Sequence, residues 1–192
     1  MKDLLYSIDL AIFNFINQGL SNPFFDWIMP LFDNVKDWIP AILIMWLLLC
    51  YFDVKNRKKM LILIPLVVLI GDQIGRYIKH EGLFWMCEHG LGSRDRPWFA
   101  LGESINHLSG NKGGRHYSFP SNHSLNMFSV FTIFSHYYPK YWGYLIGTAC
   151  VIAFSRVYIG VHYPIDVFVG AGMGVAIGIF CYRLADRFIK SK

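Results

Sequence analysis

Residues 155 to 184 read SRVYIGVHYPIDVFVGAGMGVAIGIFCYRL, and the second half of this stretch decides the fold. From Pro164 to Leu184 the only charged side chains are Asp166 near the start and Arg183 near the end. A run of roughly 20 mostly apolar residues, rising about 1.5 Å each as a helix, matches the hydrocarbon thickness of a bilayer. Working outward, four further stretches have the same character: Trp38 to Phe52, Met60 to about Lys79, Ser121 to Tyr138 and Tyr141 to about Tyr158. Composition agrees. Of 192 residues, 54% are hydrophobic and only 16% charged, with mean hydropathy +0.35. A soluble domain carries roughly 25% charged residues. The chain therefore reads as a single domain over 1–192, an all-α polytopic membrane bundle of about five transmembrane helices. The net charge of +5 does not suggest a nucleic-acid partner, because the cations lie between apolar runs rather than on a soluble face.

Ahead of the first span, residues 3 to 18 are amphipathic. Leu4, Leu5, Ile8, Ala11, Ile12, Phe15 and Ile16 recur at helical spacing, and Asp3, Ser7, Asn14 and Asn17 fall on the other side. Pro23 to Phe32 is rich in Phe and Trp. Residues 1–36 thus read as an interfacial segment with short helices lying on the membrane; a sixth span is the alternative. Asp3 and Asp9 interrupt the start, so no cleavable signal peptide is expected. Basic residues orient the bundle. Lys55, Arg57, Lys58 and Lys59 in the first loop and Arg187, Lys190 and Lys192 in the tail belong on the cytoplasmic side. The loop 80–120 then lies outside the cytoplasm, although Arg94, Arg96, Lys112 and Arg115 make it basic too. Gly170, Gly174 and Gly178, each four apart, favour close packing of helices inside the bundle over dimerisation. Cys50, Cys150 and Cys181 lie in apolar stretches and Cys87 in a polar loop, so no structural disulfide is expected.

Ionisable groups inside spans are costly and mark function. Asp72, Arg76 and Lys79 share one helical face; the plain structural reading pairs Asp72 with Arg76. Three clusters converge with Lys79 on one membrane face: Arg96-Pro97, Pro120-Ser121-Asn122-His123, and Ser155-Arg156 followed by His162 and Asp166. Lys79, Arg96 and Arg156 suit a phosphoryl group, whose transition state spreads charge over three equatorial oxygens. Pro120 at a helix start leaves the following amides free for an anion. His162, with Asp166 four residues on, is a base held in one tautomer by a carboxylate, and His123 can protonate a leaving oxygen. The rival is a metal site among His80, Cys87, His89, His107 and His116, whose spacing fits no zinc pattern.

These clusters resemble the signature of the type 2 phosphatidic acid phosphatase superfamily: Lys-x6-Arg-Pro, Pro-Ser-Gly-His and Ser-Arg-x5-His-x3-Asp. The third matches in full from Ser155 to Asp166. The second has Asn122 where glycine is usual. In the first, sixteen residues rather than six separate Lys79 from Arg96, which reads as an insertion; His89 holds the literal position. The resemblance implies an integral-membrane lipid phosphatase in which His162 attacks phosphorus and forms a phosphohistidine. Asp166 orients it, and His123 serves as acid and then base. Lys79, Arg96, Arg156 and the amides near Ser121 and Asn122 hold the phosphoryl oxygens. No metal or other cofactor is implied, and the partners are a lipid phosphate and the surrounding membrane lipids, with no obligatory protein partner. Arg94, Lys112 and Arg115 are left as spare cations for a second phosphate or an anionic headgroup. The expected place is the bacterial inner membrane with the site facing the periplasm. Among substrates the reading leans to lipid A 1-phosphate, with undecaprenyl diphosphate or phosphatidylglycerophosphate as alternatives. A vanadium haloperoxidase-like oxidoreductase and a non-catalytic membrane binding or transport protein are more remote.

Overall fold

The computed structural model describes residues 2–81, 94–110 and 117–189, and Lys112, Arg115, His116, Cys87 and His89 lie outside them. The described residues form helices joined by short turns, with one isolated β-bridge between Asp95 and Tyr117. Helix α1 covers Lys2–Asn14 and continues as a π-helical turn over Phe15–Gly19; α2 is Pro23–Ile28, α3 Val35–Phe52 and α4 Arg57–Glu81. Then follow α5 (Pro97–Ala100), α6 (Asn122–Tyr137), α7 (Trp142–Tyr158) and α8 (Pro164–Phe188). The starts are chemically marked. Asn22 Oδ1 accepts from the Phe24 and Phe25 amides at 3.1 and 3.0 Å, with Pro23 next in line. Asn34 accepts from the Lys36 amide, and Ser121 caps α6.

Helices α3, α4, α6, α7 and α8 occupy the five expected stretches, and the chain is an all-α membrane bundle. Three of them are long and apolar enough to cross a membrane: Val35–Phe52, Arg57–Lys79 and Pro164–Phe188. At 16 and 17 residues, α6 and α7 are shorter. Helix α6 packs against α4, α7 and α8. It is wedged between α4 and α8, so its first turns can carry Asn122, His123, Ser124 and Asn126 without presenting them to lipid. The outer surface of the bundle is apolar: Met45 is 67% and Phe168 78% exposed, a surface matched to hydrocarbon rather than water.

Glycines set how closely α6 is held. A Cβ on Gly170 would stand 2.6 Å from the Ser121 carbonyl oxygen, and one on Gly178 2.8 Å from that of Ser129; at Gly174 it would overlap the Leu125 carbonyl. The glycine stripe is therefore an internal seam between α8 and α6, as expected. Gly71 and Gly75 do the same from α4, against Leu125, Asn126 and Asn122, a second seam not foreseen from the sequence. The supposed Asp72–Arg76 pair does not form. Asp72 Oδ1 instead accepts from Asn126 Nδ2 at 2.8 Å, and Arg76 is exposed.

The N-terminal helix also departs from its expected polarity. Leu4, Leu5, Ile8, Ile12 and Phe15 point outward, while Asp9, Phe13 and Asn17 are buried against the bundle. Asn17 can be buried because its amide is fully used. It donates to the carbonyls of Asn106 (2.8 Å) and Tyr158 (2.7 Å) and accepts from the Asn106 amide at 2.9 Å. The buried face of α1 and its π-helical turn thus mixes Asp9 and Asn17 with Phe13, while Ser7 and Asn14 stay exposed and the apolar side is left to face lipid. At the other end of the bundle, Lys59 Nζ lies 2.6 Å from Asp186 Oδ1, and the Tyr137 hydroxyl and His136 Nε2 are also bonded to Asp186.

Candidate active site

The end of the bundle where α4 and α7 finish and α6 and α8 begin collects the motif residues. Lys79 comes from the last turns of α4, Arg96 from the cap of α5, and His123 from the first turn of α6. Arg156 comes from the last turn of α7, His162 from the α7–α8 turn, and Asp166 from the first turn of α8. The turn is short and fixed. Gly160 has φ +80°, and a Cβ there would approach the Asn106 carbonyl oxygen to 3.0 Å, so glycine is required on both counts. The amides of Val161 and His162 both donate to the Arg156 carbonyl at 3.1 Å, which ties the imidazole to the guanidinium-bearing helix end.

His162 and Asp166 are both buried. The His162 Nδ1 atom is 3.3 Å from Ser118 Oγ and 3.5 Å from Asp166 Oδ2, while Ser118 Oγ donates to that same Oδ2 at 2.5 Å. The ring is thus held by the carboxylate and by a hydroxyl beside it, and Ser118 carried no signal of its own in the sequence reading. Nε2 makes no hydrogen bond to the described residues. Burial first, and then the charges of Arg96, Lys79 and Arg156, hold the His162 pKa well below the usual imidazole range, so the ring is neutral at neutral pH. The same three cations act on His123. Lys79 therefore stands with Arg96 and Arg156.

Arg156 is oriented by a residue the sequence reading did not single out. Its Nη2 donates to Asp33 Oδ1 at 2.9 Å and its Nη1 to the Asp33 carbonyl at 3.3 Å, while Ser109 Oγ donates to Asp33 Oδ2 at 2.6 Å. Its Nε is buried with no hydrogen-bond partner among the described residues. A buried, unpaired guanidinium N–H is costly, and an anion in the pocket would satisfy it. Arg96 donates from Nε to the Tyr117 carbonyl at 3.4 Å; burial and the neighbouring Arg156 charge depress its pKa. Crowded like charges of this kind are relieved by a bound phosphoryl group.

Two expectations need correction. Ser121 was expected to present its amide to phosphate, but that N–H donates to the Asp166 carbonyl at 3.0 Å and its hydroxyl caps α6. Helix α6 starts at Asn122, with Pro120 ahead of the cap and the Phe119–Pro120 bond cis. The amides of Asn122 and His123, in the first turn, are the ones without an acceptor in the helix. Asn122 packs against Gly75, in the space that seam leaves open. Arg94, read as a spare cation, is fully engaged. Its Nε and Nη2 donate to Asp166 Oδ1 at 2.9 and 2.5 Å, and its Nη1 to Asp9 Oδ2 at 2.7 Å. Burial raises the Asp9 carboxyl pKa, while Arg94 and the Ile165 amide, 2.9 Å from Oδ1, pull it down. Of the candidate metal ligands, His107 lies against the Trp98 ring at 5.5 Å between centroids; no group of three ligand-type side chains converges among the described residues.

A buried His162 and a half-buried His123 beside three cations, at one end of a bundle with an apolar belt, fit a membrane-embedded class of phosphatase. Residues 89–190 match the PAP2 superfamily, and the chain belongs to that family of membrane lipid phosphatases. Lipid A 4'-phosphatase of Bacteroides thetaiotaomicron is 26% identical over 190 residues, covering 97% of this chain and 81% of that protein. The crystal structure of Aquifex aeolicus LpxE superposes with a TM-score of 0.68 at 25% identity, covering 92% of this chain and 95% of that one. A transmembrane PAP2-type phosphatidylglycerolphosphate phosphatase from Bacillus subtilis shares the fold, with a TM-score of 0.72 at 20% identity over 96% of this chain and 88% of that one.

Proposed function

We propose that the protein removes phosphate from a membrane lipid through a phosphohistidine on His162, and that the preferred substrate is a phosphate of a lipid A-type glycolipid. The carrying observation is the buried His162, braced at Nδ1, with Nε2 unbonded to the described residues and the charges of Lys79, Arg96 and Arg156 acting on the ring. The Nε2 lone pair attacks phosphorus in line. The bond from phosphorus to the lipid oxygen breaks, and that oxygen takes a proton from His123. Water then attacks the phosphohistidine and gives its proton to His123; the P–N bond breaks, and inorganic phosphate leaves. Lys79, Arg96, Arg156 with its unpaired Nε, and the Asn122 and His123 amides hold the phosphoryl oxygens in both steps. The whole-length similarity to a lipid A 4'-phosphatase supports the substrate class.

Purified protein in detergent should release phosphate fastest from lipid A phosphates in a panel with undecaprenyl diphosphate and phosphatidylglycerophosphate. Release should survive EDTA and be inhibited by vanadate, a mimic of the five-coordinate transition state. Faster turnover of either other lipid overturns the substrate assignment. Loss of all activity with EDTA, restored by zinc or magnesium, overturns the account in which cations of the chain hold the phosphate.

The site is assigned to the periplasmic side of the inner membrane, because the loop 53–56 and the Lys59–Asp186 cluster lie at the opposite end, where basic residues mark the cytoplasm. A single cysteine at Asn56 should resist an impermeant thiol reagent on intact cells, and one at the exposed Glu103 should react, in a background without the four native cysteines. The reverse labelling inverts the topology.

A further inference from the structure

Arg94 joins two carboxylates, and the geometry of that junction is specific. Its Nε and Nη2 both reach Asp166 Oδ1, its Nη1 reaches Asp9 Oδ2, and its guanidinium carbon lies 4.3 Å from the centre of the Tyr163 ring. Asp9 in turn accepts from the amide of Ile165, the residue just before Asp166. Asp166 is wholly buried, and the side chains of Asp9 and Arg94 are 5% and 10% exposed. The remaining Asp166 oxygen takes the Ser118 hydroxyl and the Tyr163 amide. One connected set of bonds therefore runs from α1 to the His162 ring.

The net charge of the junction gives the outer carboxylate a purpose. Phosphorylation of His162 at Nε2, with the proton kept on Nδ1, makes the ring cationic. Asp166 paired with Arg94 alone would be electrically neutral and would do little for that cation. Two carboxylates against one guanidinium leave one negative charge, directed at the ring through Asp166 and Ser118. A dry site strengthens this attraction, since few solvent dipoles screen it.

Resting on the phosphohistidine reading above, we propose that Asp9 and Arg94 are positioning residues of the reaction: Asp9, from the N-terminal helix, balances Arg94 so that Asp166 keeps a net negative charge facing the phosphorylated His162. The N-terminal helix is then a working part of the active site and not only a membrane-surface segment.

The test compares Asp9→Asn, Asp9→Glu and wild type as full-length protein in detergent. The substrate is p-nitrophenyl phosphate, and His162→Ala is the zero. Thermal stability is followed in parallel. Asp9→Asn should lower kcat by about tenfold or more and leave KM within about twofold, because the phosphate-holding cations are untouched. Asp9→Glu should recover most of the loss by restoring the charge. The double variant Asp9→Asn/Arg94→Gln should be more active than Asp9→Asn alone, since removing the guanidinium returns the net negative charge to Asp166. A lowered melting temperature with wild-type kcat in Asp9→Asn reduces the contact to a structural staple and overturns the proposal. Equal losses in Asp9→Asn and Asp9→Glu overturn it too. If Asp9→Asn yields little folded protein, kcat per folded enzyme decides: a double variant no more active than the folded fraction of Asp9→Asn sinks the proposal. Failure of wild type itself to turn over, or activity persisting in His162→Ala, would instead strike the phosphohistidine reading.

Discussion

His162→Ala lowers kcat by about four orders of magnitude or more while leaving the helical content and the detergent-solubilised fold intact. The side chain is the atom source for the covalent intermediate, so no neighbour can replace it. It contributes little to folding beyond its contacts with Ser118 and Asp166, and those two remain bonded to each other at 2.5 Å without it. Asp166→Asn should be milder, roughly 100- to 10,000-fold, because it orients rather than reacts. It also leaves Arg94 facing an amide, so part of that loss belongs to the clamp. In wild type the sign of the pH dependence follows from burial and the three cations, which lower the His162 pKa. The reactive neutral ring persists as pH falls through the ordinary imidazole range near about 6.5, and the acid limb of kcat/KM lies below it. Phosphate release by His162→Ala, measured with initial rates on a lipid phosphate, decides the matter. More than about a tenth of the wild-type rate rules out the nucleophile.

His123→Ala separates proton donation from general damage. A lipid alkoxide is a poor leaving group and needs a proton as the bond to phosphorus breaks, while p-nitrophenolate leaves unaided. Both substrates use the same nucleophile and the same Lys79, Arg96 and Arg156. The variant should therefore lose roughly 100-fold or more on the lipid and much less on p-nitrophenyl phosphate, when kcat/KM is compared between the two. In wild type the opposing demands, His162 neutral and His123 protonated, meet once the bound phosphoryl group offsets the three cations, so the kcat profile should be bell-shaped and its alkaline limb should flatten in the variant. An equal loss on both substrates removes His123 as the acid for departure and moves its role to positioning or to activating water in the second step.

The third motif was legible because its residues are local. His162 and Asp166 stand four residues apart across a helix start, and Pro164 suits the first position of that helix. The same holds for the apolar runs that became α3, α4 and α8, and for the glycine stripe of α8, whose spacing alone describes a close-packing face. Convergence of Lys79, Arg96, His123 and Arg156 followed from counting membrane crossings, which constrain chain ends to one of two faces.

Partner choice was not legible, because it depends on which surfaces meet after the helices assemble. Arg94 and Asp166 are 72 residues apart in sequence, Arg94 and Asp9 85, and Arg156 and Asp33 123. Nothing in a window of neighbouring residues distinguishes an arginine that binds a substrate from one that braces a carboxylate, since both are cations in a polar loop. The polarity of α1 shows the same limit. The pattern of Leu4, Ile8 and Phe15 against Asn17 reveals an amphipathic helix, but in a membrane protein the apolar side can face lipid and the polar side the protein. Periodicity in the sequence therefore determined that an apolar face exists; only the tertiary structure, by supplying Asn106, Tyr158 and Arg94 as partners, decided that Asp9 and Asn17 go inside while Asn14 stays out.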